Sequence, residues 1–233
     1  MTIAELDLHV HSMYSYDSLL RPGKIVKTAK RRGLNGVAIT DHGTIQGGLS
    51  TRKYNTNDFI VIIGAEIKTE IGDIIGLFLN EEIKSKDIWN VIDEIRDQDG
   101  LVVLPHPFRG HNPKGFNKDL LNKIDAIEGY NSRTGMSKNI QAQEFAKIHE
   151  LPIIAGSDAH FLGEIGLSRT IVGNAFSEED FRKSILNHNV RIIGSPSPLF
   201  FIILSGIIID IKKKQFYKIP YTFLKSYVKL TKL

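Results

Sequence analysis

Short apolar runs that end in a His or a carboxylate are the feature of this sequence that most limits its fold. Five such runs follow one another along the chain, at residues 6–11, 38–42, 63–66, 103–106 and 155–160. Each reads as a strand with a metal-ligand type of side chain at its carboxyl end. In a barrel of parallel strands those ends meet at one mouth. The sequence therefore predicts a barrel with polar side chains gathered at one end.

Helix-like segments separate most of these runs. Residues 22–32 begin with Pro22 and are followed by Gly33, a pattern typical of a helix start and end. Further helices are predicted at 86–98, at 137–149 and from the acid-rich start at 177–180. Seven strands are predicted, at 5–10, 36–40, 59–66, 73–79, 101–105, 126–130 and 152–156. This alternation favours an α/β fold with helices outside a largely parallel sheet, and the short step from 66 to 73 predicts one hairpin.

The chain length limits the number of domains, and the absence of cysteine limits the possible metal ligands. A chain of 233 residues is enough for one barrel or one large α/β domain, and it contains no cysteine. Disulfides are therefore excluded, and a metal has to be held by His and carboxylate side chains. Such ligands suit Zn²⁺, Mn²⁺ or Fe²⁺ better than copper(I) or an iron–sulfur cluster. The chain runs almost directly into its first strand without a signal-peptide pattern, so the expected location is cytoplasmic.

Two pairs of residues are spaced so that both members could bind the same metal ion. His9 and His11 are two apart on a predicted strand, so both side chains point to the same face. Asp158 and His160 repeat this spacing near the last strands, and Asp17 lies in the loop after the first pair. Together these residues predict a site for more than one metal ion.

The remaining ligand candidates also lie at strand ends. His42 ends the second strand and Glu66 the third. A carboxylate such as Glu66 can bridge two ions, because its two oxygens need not serve the same metal. His111 follows the loop at His106 and is expected to line the site, whereas His149 lies in a polar helical segment and is expected to be a surface residue.

In combination the motifs resemble those of the PHP family, named for polymerase and histidinol phosphatase. In chain order they are Asp7-Leu8-His9-Val10-His11-Ser12, Ile39-Thr40-Asp41-His42-Gly43, Gly64-Ala65-Glu66, Pro105-His106-Pro107 and Gly156-Ser157-Asp158-Ala159-His160. The resemblance extends over about residues 5–195. It implies a distorted (β/α)7 TIM-like barrel with a two- or three-metal phosphoesterase centre at the carboxyl ends of the strands.

The resemblance also implies which residues share each metal ion. The first ion would take His9, His11, Glu66 and Asp158; the second would share Glu66 and use His106; the third would take Asp17, His42 and His160. Asp41 would orient its neighbour without touching a metal.

One position of the second group departs from the family pattern. Several related sequences carry a His where Asp73 stands here, so we expect Asp73 to be a ligand that favours Mn²⁺ over Zn²⁺. Glu128, another carboxylate at a strand end, is a further candidate ligand.

The implied activity is hydrolysis of a phosphoester by a hydroxide that bridges the metal ions. Arg109 is the candidate for gripping a phosphate oxygen, and Arg133 is a second one. The expected substrate is a phosphorylated small molecule or a nucleotide. The alternatives are a nuclease that trims short oligonucleotides and a non-catalytic, metal-stabilised binding module. An amidohydrolase ranks below these, because no Lys stands where it would obviously bridge metals at a strand end.

The sequence changes character after Gly194, which predicts a barrel domain at 1–195 and a helical tail at 196–233. Residues 199–211 are nearly all apolar, but a membrane span needs ~20 residues. Residues 215–233 mix aromatic residues with lysines, and much of the net charge of +4 lies beyond residue 210. We expect 199–211 to pack across the barrel. For 215–233, contact with an anionic membrane surface is an alternative to simple solvation.

Overall fold

Nine strands form one curved sheet in the computed structural model, which describes residues 3–109, 116–173 and 177–230. The strands are Ile3–Val10 (β1), Gly36–His42 (β2), Ile60–Lys68 (β3), Asp73–Leu77 (β4), Leu101–Leu104 (β5), Ala126–Asn131 (β6), Ile153–Gly156 (β7), Ser168–Gly173 (β8) and Val190–Gly194 (β9). Their order across the sheet is β7-β6-β5-β4-β3-β2-β1-β8-β9.

The sheet curls into a nearly closed barrel because β7 returns to the side of β1 and β8. Just beyond β7, Ala159 pairs with Val10, and the amide of His11 donates to the Ala159 carbonyl at 2.9 Å. The hydroxyl of Thr170 in β8 accepts from the amide of Ala155 at 2.8 Å and donates to its carbonyl at 3.1 Å. A side chain thus serves as the backbone partner that β7 would otherwise lack.

Strand direction divides the barrel into regular and irregular parts. β1, β2 and β3 are parallel to one another, as are β5, β6 and β7. β4 runs antiparallel to both of its neighbours. At the other edge β8 runs antiparallel to β1, and β9 runs antiparallel to β8. The predicted hairpin is therefore confirmed as the β3–β4 connection, and the predicted α/β barrel is confirmed with two more strands than the sequence indicated.

Helices cover the outside of the sheet and one end of the barrel. They are Pro22–Arg31 (α1), Gln46–Arg52 (α2), Ile88–Arg96 (α3), Lys118–Leu121 (α4), Met136–Ile148 (α5), Glu178–Leu186 (α6), Leu199–Lys212 (α7) and Ile219–Leu230 (α8), with a 3₁₀ turn at Phe216–Lys218. Local chemistry fixes several starts: the Asp87 side chain accepts from the amide of Asn90 at the start of α3. Ser177 and Asp180 form a reciprocal capping box at the start of α6.

The apolar core lies inside the barrel and between the sheet and its helices. The inner cluster draws small and branched residues from β1 to β8, including Leu6, Leu8 and Val103. Phe181 and Ile185 of α6 join it and close the barrel end away from the strand carboxyl termini. The opposite end carries polar side chains and forms the site described below.

The tail helix α7 packs on the barrel, as expected for residues 199–211. The Phe201 ring stacks on Phe161 with centroids 5.1 Å apart. A Cβ at Gly163 would lie 2.6 Å from the Phe201 ring, so the absence of a side chain there lets α7 approach. No helix among the described residues has the length and apolar character needed to cross a membrane.

Candidate metal centre

The ligand-type side chains predicted from the sequence lie together at one mouth of the barrel. They are His9, His11, Asp17, His42, Glu66, Asp73, His106, Asp158 and His160, and all but His42 and Asp73 are buried. Because β4 is antiparallel to its neighbours, its first residue, Asp73, reaches the mouth where β3 and β5 end.

The first group consists of His9, His11, Glu66 and Asp158, and an oxygen of each carboxylate lies near the Nε2 atoms of both histidines. The two Nε2 atoms of His9 and His11 are 3.1 Å apart. Glu66 Oε2 lies 3.5 and 3.4 Å from them, and Asp158 Oδ1 lies 3.7 and 3.3 Å from them. Tetrahedral coordination with bonds of ~2.1 Å separates ligand atoms by ~3.4 Å. Each carboxylate is therefore spaced from both histidines as two ligands of one metal ion would be.

Glu66 joins the groups because its two oxygens face different partners. Oε2 faces the first group and also lies 3.2 Å from His42 Nδ1. Oε1 lies 3.0 Å from His106 Nε2. β2 and β3 pair in register with His42 opposite Glu66, which explains why this carboxylate lies beside His42. This is the arrangement that a bridging carboxylate needs.

The second group contains Glu66, Asp73 and His106, which offer ligand atoms within 4.8 Å of one another. Asp73 thus lies beside Glu66 and His106, the two residues with which it was predicted to share an ion. Glu128, the other candidate for this group, lies behind His9 instead. Its Oε1 is 3.0 Å from His9 Nδ1, and its Oε2 accepts from the amide of His106 at 2.9 Å.

The third group contains Asp17, His42 and His160, with His11 close enough to join it. Asp17 Oδ2 lies 2.8 Å from His160 Nε2 and 3.2 Å from His42 Nε2. The other oxygen, Asp17 Oδ1, is buried without a hydrogen-bond partner in the part of the chain that the structure describes. A buried carboxylate oxygen without a partner is costly unless a cation compensates it, so this group also fits a metal ion.

The charges of the cluster are strongly coupled. Burial raises a carboxyl pKa, yet His42 and His9 hold the pKa of Glu66 well below its usual range. Burial, together with His160 and His42, lowers the pKa of His11 to about 3, so its ring is neutral. Burial also disfavours the charged form of His42, but Glu66 and Asp17 raise its pKa to about 9. The metal-free cluster therefore holds protons that a cation would displace.

Three of the ligand rings are each oriented by a hydrogen bond from the nitrogen that does not face the site. His9 Nδ1 faces Glu128, His11 Nδ1 lies 3.0 Å from Ser15 Oγ, and His160 Nδ1 lies 2.8 Å from the Asp158 carbonyl. Such contacts fix which ring nitrogen points into the site and raise ligand basicity.

Two buried aspartates hold the backbone beside the ligands. Asp7 accepts from the amide and hydroxyl of Ser157 at 2.8 and 2.5 Å, next to Asp158. Asp41 accepts from the amide and hydroxyl of Ser12, both at 2.6 Å. The expectation that Asp41 orients its neighbour is therefore corrected: its hydrogen bonds hold the segment after His11. Burial raises the pKa of Asp7 to about 6, against the effect of these hydrogen bonds.

Close backbone approach and unusual conformation also shape the site. A Cβ at Gly156 would lie 2.2 Å from the Cβ of His9, so only glycine lets β7 come this near to β1. His106 has φ 28° and Asp158 has φ 55°, both left-handed. Strained positions of this kind cluster at functional sites, where the surrounding structure enforces them.

The two arginines proposed for phosphate binding have different positions. Arg109 is at the mouth and 31 % exposed, and it donates to Asp158 Oδ2 at 2.5 Å and to Asn131 Oδ1 at 3.1 Å. Arg133 does not face the site. It is buried against Glu164 and donates to Ser205 of α7 at 2.6 Å, so its proposed role in phosphate binding is wrong.

Sequence reasoning missed two polar residues that support the site. Asn131 donates to Glu128 and to Asp158 while accepting from Arg109, and its place at the end of β6 was the available signal. Glu164 accepts from the amide of His160 at 2.9 Å, and no spacing in the sequence signalled it. His111 lies outside the described residues, and His149 is exposed at the end of α5, as expected.

A barrel with this cluster at the carboxyl ends of its strands defines the class of protein. The chain belongs to the PHP domain family, whose profile matches residues 7–195 and so spans the whole cluster. Protein MJ1587 of Methanocaldococcus jannaschii is 40% identical to it over 164 residues, which are 63% of this chain and 92% of that protein.

Solved structures share the fold. One is a two-domain protein from Bacteroides vulgatus that contains a predicted PHP-like metal-dependent phosphoesterase; it has a TM-score of 0.72 and 20% identity over 88% of this chain and 69% of its own. Another is endonuclease Q in complex with a 27-mer duplex that carries an abasic lesion. It has a TM-score of 0.61 and 19% identity, covering 80% of this chain and 57% of its own.

Proposed function

We propose that this protein is a metal-dependent hydrolase of phosphoesters that acts on a phosphorylated small molecule or a nucleotide. The observation that carries the proposal is the cluster of ligand atoms around Glu66. One oxygen of Glu66 lies at metal-ligand spacing from His9 and His11, and the other oxygen faces His106. Membership of the PHP domain family supports the same chemistry, as does the fold that this chain shares with a predicted PHP-like metal-dependent phosphoesterase.

The three groups are the proposed metal-binding residues. The first group, the Glu66–Asp73–His106 group and the Asp17–His42–His160 group would each hold one divalent ion, with Mn²⁺, Zn²⁺ and Fe²⁺ as candidates. Ions bound there would supply Lewis acidity toward phosphoryl oxygens and make a water nucleophile available near neutral pH.

The protein's own residues prepare the site for that chemistry. His9, held by Glu128, and His11, held by Ser15, present fixed Nε2 atoms to the site. Arg109 keeps a positive charge at the partly exposed mouth while it holds one oxygen of Asp158. A phosphate entering the mouth would meet this guanidinium, which suits phosphate oxygens in bidentate geometry. We therefore assign Arg109 to substrate binding.

The class of ester is tested with two chromogenic substrates. With added Mn²⁺, the protein should hydrolyse p-nitrophenyl phosphate, bis(p-nitrophenyl) phosphate or both. Chelation with EDTA should abolish turnover, and Mn²⁺ should restore it. A protein that binds Mn²⁺ yet leaves both esters intact would instead support the metal-stabilised binding module.

Cleavage of short oligonucleotides is the second candidate function. It is supported by the shared fold with endonuclease Q, whose structure holds a DNA duplex. End-labelled oligonucleotides of graded length, with and without Mn²⁺, would separate this activity from hydrolysis of mononucleotides. Shortening of the labelled strand from one end would favour trimming.

The tail carries a separate proposal, contact with an anionic membrane surface. Phe216, Tyr217 and Tyr221 are exposed beside Lys213 and Lys218. Exposed aromatic rings interspersed with lysines suit an interface with anionic lipid. Sedimentation with anionic liposomes at low and high salt should show salt-sensitive binding that a chain ending at Lys214 lacks. If neither form pellets, the tail has no membrane role.

A further inference from the structure

The loop between β1 and α1, residues 12–18, is held on its barrel side by three buried serines. Ser12 bonds Asp41, and Ser15 Oγ lies within 3.0 Å of His11 Nδ1 and accepts from the amide of His42 at 2.9 Å. Ser18 Oγ contacts the His11 carbonyl at 3.0 Å. The serines recur at every third position, so one side of the loop faces the ligands. The loop carries Asp17.

The other side of the loop is held by the tail. The Lys212 ammonium, at the end of α7, donates to the carbonyls of Met13, Ser15 and Ser18 at 3.2, 2.5 and 2.7 Å. An ammonium has three N–H donors, and these three acceptors use all of them. The next residue, Lys213, lies 5.7 Å from the centre of the Tyr16 ring, and Tyr16 itself stacks on His42 at 4.5 Å.

A second connection reaches the same ligand group from the opposite direction. Glu164 accepts from the amide of His160 at 2.9 Å and from the hydroxyl of Ser197 at 2.5 Å. Glu164 also pairs with Arg133, which bonds Ser205 of α7. The tail therefore contacts the surroundings of Asp17, His42 and His160 at both ends of α7.

We propose that Lys212 is a positioning residue that holds Asp17 in place, so that helix α7 sets the affinity of the Asp17–His42–His160 group for its metal ion. The proposal rests on the proposed metal-binding function. Lys212 touches backbone rather than a ligand atom, so it acts through the loop. It also lies beyond residue 195, where the family match ends, so this support comes from outside the family barrel.

The test is metal binding without substrate. Isothermal titration of the metal-free chain with Mn²⁺ should resolve more than one class of site. Lys212→Met should weaken one class by about tenfold, the lower range for residues that support metal ligands. Lys214→Met removes the same charge from an exposed position two residues beyond the end of α7 and should bind as the wild type does.

A double-mutant cycle separates positioning from a general loss of stability. Asp17→Asn should weaken the same class of site, and adding Lys212→Met to it should cause little further loss. Hydrogen exchange of the amides of Met13 and Ser15 should accelerate in Lys212→Met and stay slow in β3. The planar guanidinium of Lys212→Arg cannot bond the three carbonyls in the same way, so this variant should show Mn²⁺ affinity and loop exchange between those of the wild type and Lys212→Met. It replaces the Met variant in the test if the Met variant does not fold.

Two results would overturn the proposal, and they differ in meaning. Equal Mn²⁺ binding and equal loop exchange in wild type and Lys212→Met would remove the role of Lys212 and leave the metal centre intact. A wild-type chain that binds no Mn²⁺, Zn²⁺ or Fe²⁺ would remove the proposed function itself.

Discussion

The first and third ligand groups occupy the same mouth but are built differently. His9, His11 and Asp158 are at most 2 % exposed and lie on or beside β1 and β7, where backbone pairing fixes them. In the third group, Asp17 lies on a loop and the His42 side chain is 21 % exposed. Ligands on rigid elements lose less entropy when they bind an ion than ligands on loops. We therefore expect a tightly held first ion and a third ion that exchanges more readily.

The largest effect should follow a change in the first group. His9→Ala removes one of the four candidate ligands and should lower turnover about a thousandfold, or ~4 kcal/mol of transition-state stabilisation. The readout is Mn²⁺-dependent hydrolysis of the better p-nitrophenyl ester. His149→Ala, which changes an exposed His far from the cluster, should keep nearly full activity. Wild-type turnover in the His9 variant would show that the first group is misassigned.

A change in the third group should lower turnover less than a change in the first group does. Asp17→Asn keeps the shape of the side chain but removes its charge, and we expect one ion per chain to be lost and turnover to fall about tenfold to a hundredfold. Metal content after gel filtration, measured by mass spectrometry, gives the stoichiometry. If the first ion is lost together with the third, the two groups are not independent and the comparison between them fails.

The pH dependence of metal binding comes next in size. In the metal-free cluster Glu66 and Asp17 raise the pKa of His42 to about 9, although burial opposes this. Ligation needs the neutral ring, so binding should release protons, and affinity should rise as the pH increases from neutral toward 9. Titrations in two buffers of different ionisation enthalpy count the protons. Binding that releases none at neutral pH would contradict the charged state of His42.

The smallest expected effect concerns metal choice in the second group. Asp73→His should move the preference from Mn²⁺ toward Zn²⁺ by a few-fold, because imidazole is a softer ligand than carboxylate. Competition between the two ions, followed by metal analysis of the purified protein, measures the shift. An unchanged metal profile together with full activity would place Asp73 outside the coordination sphere.

Much of the barrel could be predicted because its signals are local. Apolar runs that end in ligand-type residues mark strand ends, and parallel strands bring those ends together. β8 was missed because two of its three buried positions are polar: Ser168 bonds Ser132, and Thr170 bonds Ala155. β9 was missed because it is half exposed and lacks an apolar run.

The candidate ligands could be predicted for the same reason. A His, Asp or Glu at a strand end is a possible metal ligand whatever the rest of the chain does. The supporting contacts could not be predicted, because they join distant parts of the chain. Arg133 carries a charge suited to phosphate, and only the fold shows that Glu164, 31 residues away, neutralises it. Lys212 is one of many lysines in the tail, and its carbonyl partners lie nearly 200 residues earlier.

The closure of the barrel beside β1 has a mechanical consequence. The amide of His11 donates to Ala159, and the amide of Ala159 donates to His9 at 3.3 Å, so the backbone seam runs between two pairs of candidate ligands. An ion held by His9, His11 and Asp158 would cross-link the two sides of this backbone pairing. It would join the first strand to the segment that follows the seventh. Stripping the metal should then open the barrel locally, with faster hydrogen exchange at His11 and Ala159 while the β2–β3 ladder stays protected.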